Sequence, residues 1–352
     1  MAARPWNGRW LHGLSYGGAG VPLAFVALPL YVVLPNHYAS QFGVPLALLG
    51  AVLLAARLLD AVVDPWIGRW ADTLLDRSAR RAWLVTLAAG AVLAIGFHGL
   101  FFPRVGLDTP ALLAWCAALL AVTYLSYSTL TVIHQAWGAR LGGNEAQRAR
   151  IVAWREGLAL AGVLVASVLP SVAGIGAMTV VFALTLAAAL ALLGSAPRPH
   201  AVRQHGPPVS LRLPLHTQAF RRLLAIYLLN GIASALPATL VLFFIRDRLQ
   251  ATSHEPLFLA SYFAAGALSI PLWVRLVARF GLARSWLMGM LLAIAVFAWA
   301  AVLVPGDVAA YAVVCALSGV ALGADLSLPA ALLAGVIQQA GHGGRAEGAY
   351  FG

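Results

Sequence analysis

The chain has 352 residues, 61% of them hydrophobic and 10% charged, with a mean hydropathy of +0.86. A soluble domain carries about 25% charged residues and keeps a polar face on most of its elements; whole stretches of this chain have none, which excludes a water-soluble protein. Its basic residues are all arginine, giving a net charge of +11, but they fall in short gaps between apolar runs without aromatic-basic or helix-turn-helix patterning, so no nucleic-acid partner is expected.

A helix crossing a hydrocarbon core about 30 Å thick needs about 20 mostly apolar residues. Ten segments meet that test, at roughly 11–34, 45–67, 82–103, 110–135, 151–171, 174–194, 220–245, 257–278, 284–304 and 308–336. The first contains Tyr16. It follows Arg4 and Arg9 and runs to Leu34 without a small-residue cleavage site, so it reads as a spanning helix and not a signal peptide.

The second span holds RLLDAVVDPWIG, with Arg57 near mid-depth and Asp60 and Asp64 between it and one end. An ionised group inside a bilayer costs at least a few kcal/mol unless it is paired or wet. Asp60 and Asp64 are four residues apart and share a helical face, with Arg57 one turn earlier. Two readings stand. Either the carboxylates hold a proton or a monovalent cation such as sodium, or Arg57 neutralises Asp60 while Asp64 begins a turn that fixes the helix. The next segment, GRWADTLLDRSARR, sets Asp72 and Asp76 among Arg69, Arg77, Arg80 and Arg81. It reads as a charged loop that sets topology, or as an ion-pair gate that breaks between two states.

The fourth span carries Tyr127 and ends in His134, Gln135 and Trp137; the fifth opens with Trp154, Arg155 and Glu156, an acid favourable in a first helical turn. Pro170 marks the junction with the sixth. Residues 196–219, with Pro197, Pro199, Pro207, Pro208 and Pro214, read as a cytoplasmic linker, in which His200 and His205 are expected to be solvated and not metal-bound. The linker divides residues 1–195, a six-helix repeat, from residues 220–352, a second repeat of four helices, as in many secondary transporters. In the seventh span Asn230 and Ser234 precede Pro237, and in the tenth Asp325 precedes Pro329; both prolines predict backbone breaks, tolerated in membranes only against protein or a wet cavity. Tyr16, Tyr127, His134, Trp137 and Asn230 are candidates for a solute path, with packing or an interfacial position an equal reading for the tyrosines. Cys116 and Cys315 offer neither zinc spacing nor a disulfide framework. The chain stops in GHGGRAEGAYFG, where an eleventh helix would begin, so the second repeat is expected to be truncated.

With the N-terminus inside, Arg104, Arg246 and Arg248 fall outside and the arginines of the other loops fall inside. That asymmetry predicts a cytoplasmic N-terminus.

The stretch RLLDAVVDPWIGRWAD from Arg57 resembles the signature of the glycoside-pentoside-hexuronide:cation symporters, the melibiose permease relatives within the major facilitator superfamily. HQAWGARL from His134, RARIVAWREG from Arg148, LLAIYLLNGIASALPATLVLFF from Leu223, GALSIPLW from Gly266, GADLSLPAALLAGVI from Gly323 and GRAEGAYFG from Gly344 agree with it. The resemblance implies an all-α polytopic carrier of the major facilitator fold, ten transmembrane helices being present of an expected twelve. It implies import of a small polar solute, a sugar or glycoside, by alternating access coupled to H+ or Na+. It places Asp60 and Asp64, with Arg57, at the coupling site, where sodium is the one metal considered. Arg155 and Glu156, Asp325 and Arg345 fall in gating motifs beside Asp72, Asp76 and Arg77. It further implies a non-enzyme without cofactor, monomeric, multi-pass in a bacterial inner membrane, with the lipid bilayer and the solute as partners. The first span has no acid between Leu11 and Leu34, nor the fourth between Ala111 and Gln135. The family's sugar-binding acids are therefore missing, which leaves the solute open and sets a proton beside sodium. An inactive or regulatory truncated carrier homologue is the alternative expectation.

Overall fold

The computed structural model describes residues 6–104, 106, 108–199, 210 and 212–352; the linker histidines His200 and His205 lie outside the described residues. Among the described residues all regular structure is helical. The helical run α1, Trp10–Phe42, contains a π turn at Pro29–Val33. It is followed by α2 (Leu46–Arg77), α3 (Ala79–Phe101), α4 (Thr109–Ala139), α5 (Glu145–Leu193), α6 (Gln218–Phe243), α7 (Glu255–Phe280), α8 (Leu282–Ala300), α9 (Val308–Ser327), α10 (Pro329–Gln339) and the short α11 (Glu347–Phe351).

Among the described residues nine helical runs are long and apolar enough to cross a bilayer, by length and composition. The 49 residues of α5 would reach about 70 Å if straight, but Gly174, with φ 81° and ψ 170°, divides them into two arms. Ten spans result, as the apolar runs predict. The break falls at Gly174 and not at Pro170, which lies inside the helical run: proline removes one backbone bond and leaves φ helical, whereas a left-handed φ reorients the chain and suits glycine. Pro237 likewise lies within α6 without interrupting it, contrary to the expected break. Pro329 does mark one, as the first residue of α10 after the interruption at Leu328.

Local chemistry sets several ends. The Ser78 hydroxyl caps α3 by accepting the Arg80 N–H at 3.2 Å, and the Asp108 carboxylate caps α4 by accepting from Ala111 at 3.0 Å. Each satisfies a donor that helix geometry leaves without a partner. α2 continues well past its apolar run to Arg77. Asp72 and Asp76 therefore stand on its last two turns, not in a loop as the sequence led us to expect.

The chain forms two compact units. One comprises residues 1–142, 158–213 and 341–352; the other comprises 143–157 and 214–340. The first has an aromatic centre in which Phe182 of α5 packs on Phe25 of α1 and Phe97 of α3, at centroid distances of 5.7 and 4.6 Å. In the second, α7 and α9 approach along Gly266, Gly319 and Gly323. A side chain at Gly319 would strike the Tyr262 carbonyl, and one at Gly323 the Ser269 hydroxyl, so the small residues of GVALGA permit this crossing. Around it Trp273, Val277, Trp286, Ala324 and Leu328 form a buried cluster. Leu58, Val62 and Trp66 of α2 and Leu228, Leu229 and Ile232 of α6 are more than half exposed. Apolar faces of this kind suit lipid as solvent.

Candidate functional site

Within the first unit, α2 carries two clusters of charge. In the upper one the Arg57 guanidinium lies over two tyrosine rings, 4.6 Å from the centroid of Tyr31 on α1 and 4.4 Å from that of Tyr124 on α4. Its Nη1 donates to Asp60 Oδ2 at 3.1 Å. The other Asp60 oxygen accepts from the Ser128 hydroxyl of α4 at 2.6 Å. Asp60 is thus buried and matched on both oxygens, and cation–π contacts to two rings hold its arginine in place. Asp64, one turn on, is different: its Oδ1 is buried and has no hydrogen-bond partner among the described residues. An unmatched buried carboxylate oxygen is costly, and a proton or a small cation removes the cost. Among the described residues no group of three or more His, Cys, Asp or Glu side chains could hold a metal ion.

The lower cluster is centred on Arg140, at the end of α4, whose side chain is fully buried. Its Nη2 meets Asp72 Oδ1 at 2.7 Å, its Nη1 meets Asp76 Oδ1 at 2.7 Å and its Nε meets Glu347 Oε2 at 2.9 Å. Asp72 also accepts the backbone N–H of Gly348 at 2.7 Å and of Ala349 at 2.9 Å. One guanidinium and one carboxylate thereby join the ends of α2 and α4 to the first turn of α11. The approach depends on glycine, because a side chain on Gly68 of α2 would occupy the place of the Gly348 carbonyl, and one on Gly348 that of the Gly68 carbonyl. Burial alone would lower the Arg140 pKa; Glu347, Asp72 and Asp76 outweigh it and hold the group above its ordinary value. Arg140 stays charged.

Arg140 and Glu347 escaped the sequence reading as site residues. Both belong to stretches quoted for their resemblance, but each lies at a helix end among other charges, where an ion is unremarkable until its partners are known. Arg77 and Arg345, by contrast, join no ion pair among the described residues.

The candidate path residues of this unit hold one another. The Tyr16 hydroxyl donates to the His134 carbonyl at 3.1 Å, His134 Nε2 meets the Tyr16 carbonyl at 2.8 Å, and the rings lie 4.4 Å apart. Trp137 Nε1 donates to the Pro197 carbonyl at 2.8 Å. Tyr127 is half-buried on α4.

In the second unit, Glu145 Oε2 accepts the Leu282 N–H at the start of α8 at 2.8 Å. Arg148 Nη1 donates to the Gly143 carbonyl and to Gln338 Oε1 at 2.8 and 2.7 Å. Arg155 pairs with Glu156 at 2.6 Å. Asp325 Oδ1 accepts from Trp286 Nε1 at 2.8 Å, and Asn230 lies half-buried on α6.

Among the described residues ten apolar spans, a buried carboxylate cluster inside one of them and charged clusters at the span ends define a polytopic membrane protein of the major facilitator fold. Solved structures share that fold. A bacterial homologue of the iron transporter ferroportin in its outward-facing state aligns with a TM-score of 0.67 at 18% identity, over 97% of this chain and 88% of that one. The Escherichia coli fucose:proton symporter FucP gives 0.59 at 12%, over 97% and 94%, and the proton:xylose symporter XylE 0.58 at 13%, over 97% and 84%. The chain belongs to the family described as MFS/sugar transport protein, which it matches over residues 15–352. Among curated proteins it is 29% identical over 164 residues to the inner membrane symporter YicJ of Escherichia coli. It is 28% identical over 168 residues to that organism's putative glycoside/cation symporter YagG. The matched stretches cover 45% and 46% of this chain and span about a third of those relatives' own length, 33% and 35%.

Proposed function

We propose that this protein is a cation-coupled symporter of the glycoside-pentoside-hexuronide group, importing a small polar solute of the sugar or glycoside class across a bacterial inner membrane by alternating access. The observation that carries the reading is Asp64: a carboxylate in a membrane span whose buried oxygen has no partner, beside an Asp60 already matched by Arg57 and Ser128. A proton fits this arrangement better than sodium, because a hard cation seeks about six oxygen ligands and Asp60 has both of its oxygens engaged. The similar proteins support the class: two of the structures are of proton symporters, and the two Escherichia coli relatives are named as symporters. The N-terminus faces the cytoplasm, a reading supported by the arginine distribution. Asp72, Asp76, Arg140 and Glu347 then form a gate on that side which must open for the inward-facing state.

Uptake of a radiolabelled sugar panel into proteoliposomes, under imposed pH or sodium gradients, tests the proposal. Stimulation of at least one sugar by the pH gradient, lost in Asp64→Asn, is the expected result. Indifference of every sugar to both gradients, in protein that remains folded, overturns symport.

A further inference from the structure

We propose that the first unit carries a binding site for the phosphate of an anionic phospholipid headgroup, in a cavity between Arg80, Trp83, Trp137 and Arg198. The cavity has a volume of about 190 Å³ and is lined by these four residues with Ala79 and Gly194. At roughly 30 Å³ per water it holds about six waters, room for a phosphate and its glycerol but less than the 300 Å³ or more of a typical pocket for a whole small molecule.

The lining chemistry selects an anion. Two arginines and no carboxylate are among the described residues that line this space, and arginine forks match phosphate oxygens in pairs. The two indoles supply shape and not donors, because each N–H is already committed. Trp83 Nε1 donates to the Leu190 carbonyl at 2.8 Å and Trp137 Nε1 to the Pro197 carbonyl at 2.8 Å. Both rings are therefore fixed as walls. The first turn of α3, which begins at Ala79, adds a partial positive charge to the same space.

Position distinguishes a lipid from a phosphate ion in solution. Every lining residue lies at one end of its helix: Ala79, Arg80 and Trp83 in the first turns of α3, Trp137 in the last turn of α4, and Gly194 and Arg198 just beyond α5. For spanning helices that end is the headgroup level, where tryptophans concentrate and basic pockets take anionic headgroups. Leu84, adjacent to Trp83, and Leu192, two residues before Gly194, are 49% and 41% exposed. They offer apolar surface on the same helix ends for acyl chains.

Titration of the purified, delipidated full chain by native mass spectrometry tests the site, with phosphatidylglycerol, phosphatidylcholine of the same acyl chains, and free glycerol phosphate as probes. One saturable phosphatidylglycerol adduct is expected, with phosphatidylcholine weaker and glycerol phosphate weaker still. Arg80→Gln should weaken the adduct about fivefold and Arg80→Gln with Arg198→Gln about thirtyfold. Arg104→Gln, whose guanidinium lies over Trp115 at the other end of α3 and α4, should leave it unchanged. Undiminished phosphatidylglycerol binding by the folded double variant overturns the proposal, as does equal binding of phosphatidylcholine. Glycerol phosphate binding as tightly as the lipid would reassign the site to a soluble phosphate. If the double variant does not fold, Arg80→Gln decides alone, because the Arg80 side chain is exposed and folding does not rest on it.

Discussion

Two buried arrangements on one helix ask opposite things of their carboxylates. Asp72 is fully matched by Arg140 and by two backbone amides, whereas Asp64 leaves one buried oxygen, Oδ1, without a hydrogen-bond partner among the described residues. Removing one partner of a buried ion pair costs about 3–5 kcal/mol because the other is left uncompensated. Arg140→Ala should therefore lower the unfolding temperature sharply, since it strands both Asp72 and Glu347. Asp76→Asn should cost about 1 kcal/mol or less, because that side chain is 36% exposed and exposed pairs are weak. Thermal unfolding of the purified variants, followed by tryptophan fluorescence, checks the ranking. For the intramembrane pair, Asp64→Asn should leave unfolding near wild type, while Asp60→Asn destabilises by depriving Arg57 of its only ion-pair partner among the described residues. Equal destabilisation by both would make Asp64 structural too. The sequence exposed Asp60 and Asp64 because an acid in an apolar run has no cheap explanation. It did not expose Arg140, whose partners lie 64, 68 and 207 residues away; charge at a helix end is ordinary, and only the fold brings the three carboxylates to it.

Helices were legible wherever apolar length alone decides, and their endpoints less so. The extension of α2 to Arg77 follows from tertiary support, since Arg140 takes up Asp72 and Asp76 and makes two further charged turns tolerable. The turn in α5 was read at the proline, but geometry puts it at Gly174, and this difference is testable. An alanine at Gly174 meets no neighbour, yet it must adopt φ 81° with ψ 170°, a region almost reserved for glycine that costs an L-residue about 1–3 kcal/mol. Gly174→Ala should therefore destabilise the protein by that amount, and Pro170→Ala should be close to neutral, both measured by thermal unfolding. The opposite ranking would place the functional bend at Pro170. A second element-scale test concerns the crossing of α2 and α11. Gly68→Val cannot keep the Gly348 carbonyl where it is, so it should lift α11 from Asp72 without touching the carboxylate itself. Hydrogen exchange at Gly348 and Ala349 should accelerate in Gly68→Val, as it should in Asp72→Asn. Unchanged protection would mean that the amides are held by something other than this crossing.

On the scale of the whole chain, the apolar runs pointed to a membrane bundle and the linker to an expected division into repeats, but neither pointed to the exchange of segments between the compact units. Residues 143–157 group with one unit and continue into α5 of the other, while residues 341–352 follow α10 and group with the first. Sequence neighbours say nothing about such an exchange, which is a property of contacts. Each exchanged segment is engaged in the same way, by a carboxylate accepting a backbone N–H at the start of a helix. Asp72 takes Gly348 and Ala349 of α11, and Glu145 takes Leu282 of α8. From the arginine distribution both are expected on the cytoplasmic side. If alternating access is the working cycle and both engagements lie on the side that opens in it, they open in one transition, so a change that loosens one shifts the population for both. Asp72→Asn should then speed exchange of the Leu282 amide, which Asp72 does not contact, and Glu145→Gln should speed exchange at Gly348 and Ala349. The accelerations should be similar in the two directions, because coupling between sites is reciprocal. Acceleration confined to the amides that each carboxylate itself holds would show two independent helix caps and would count against a single opening transition on that side.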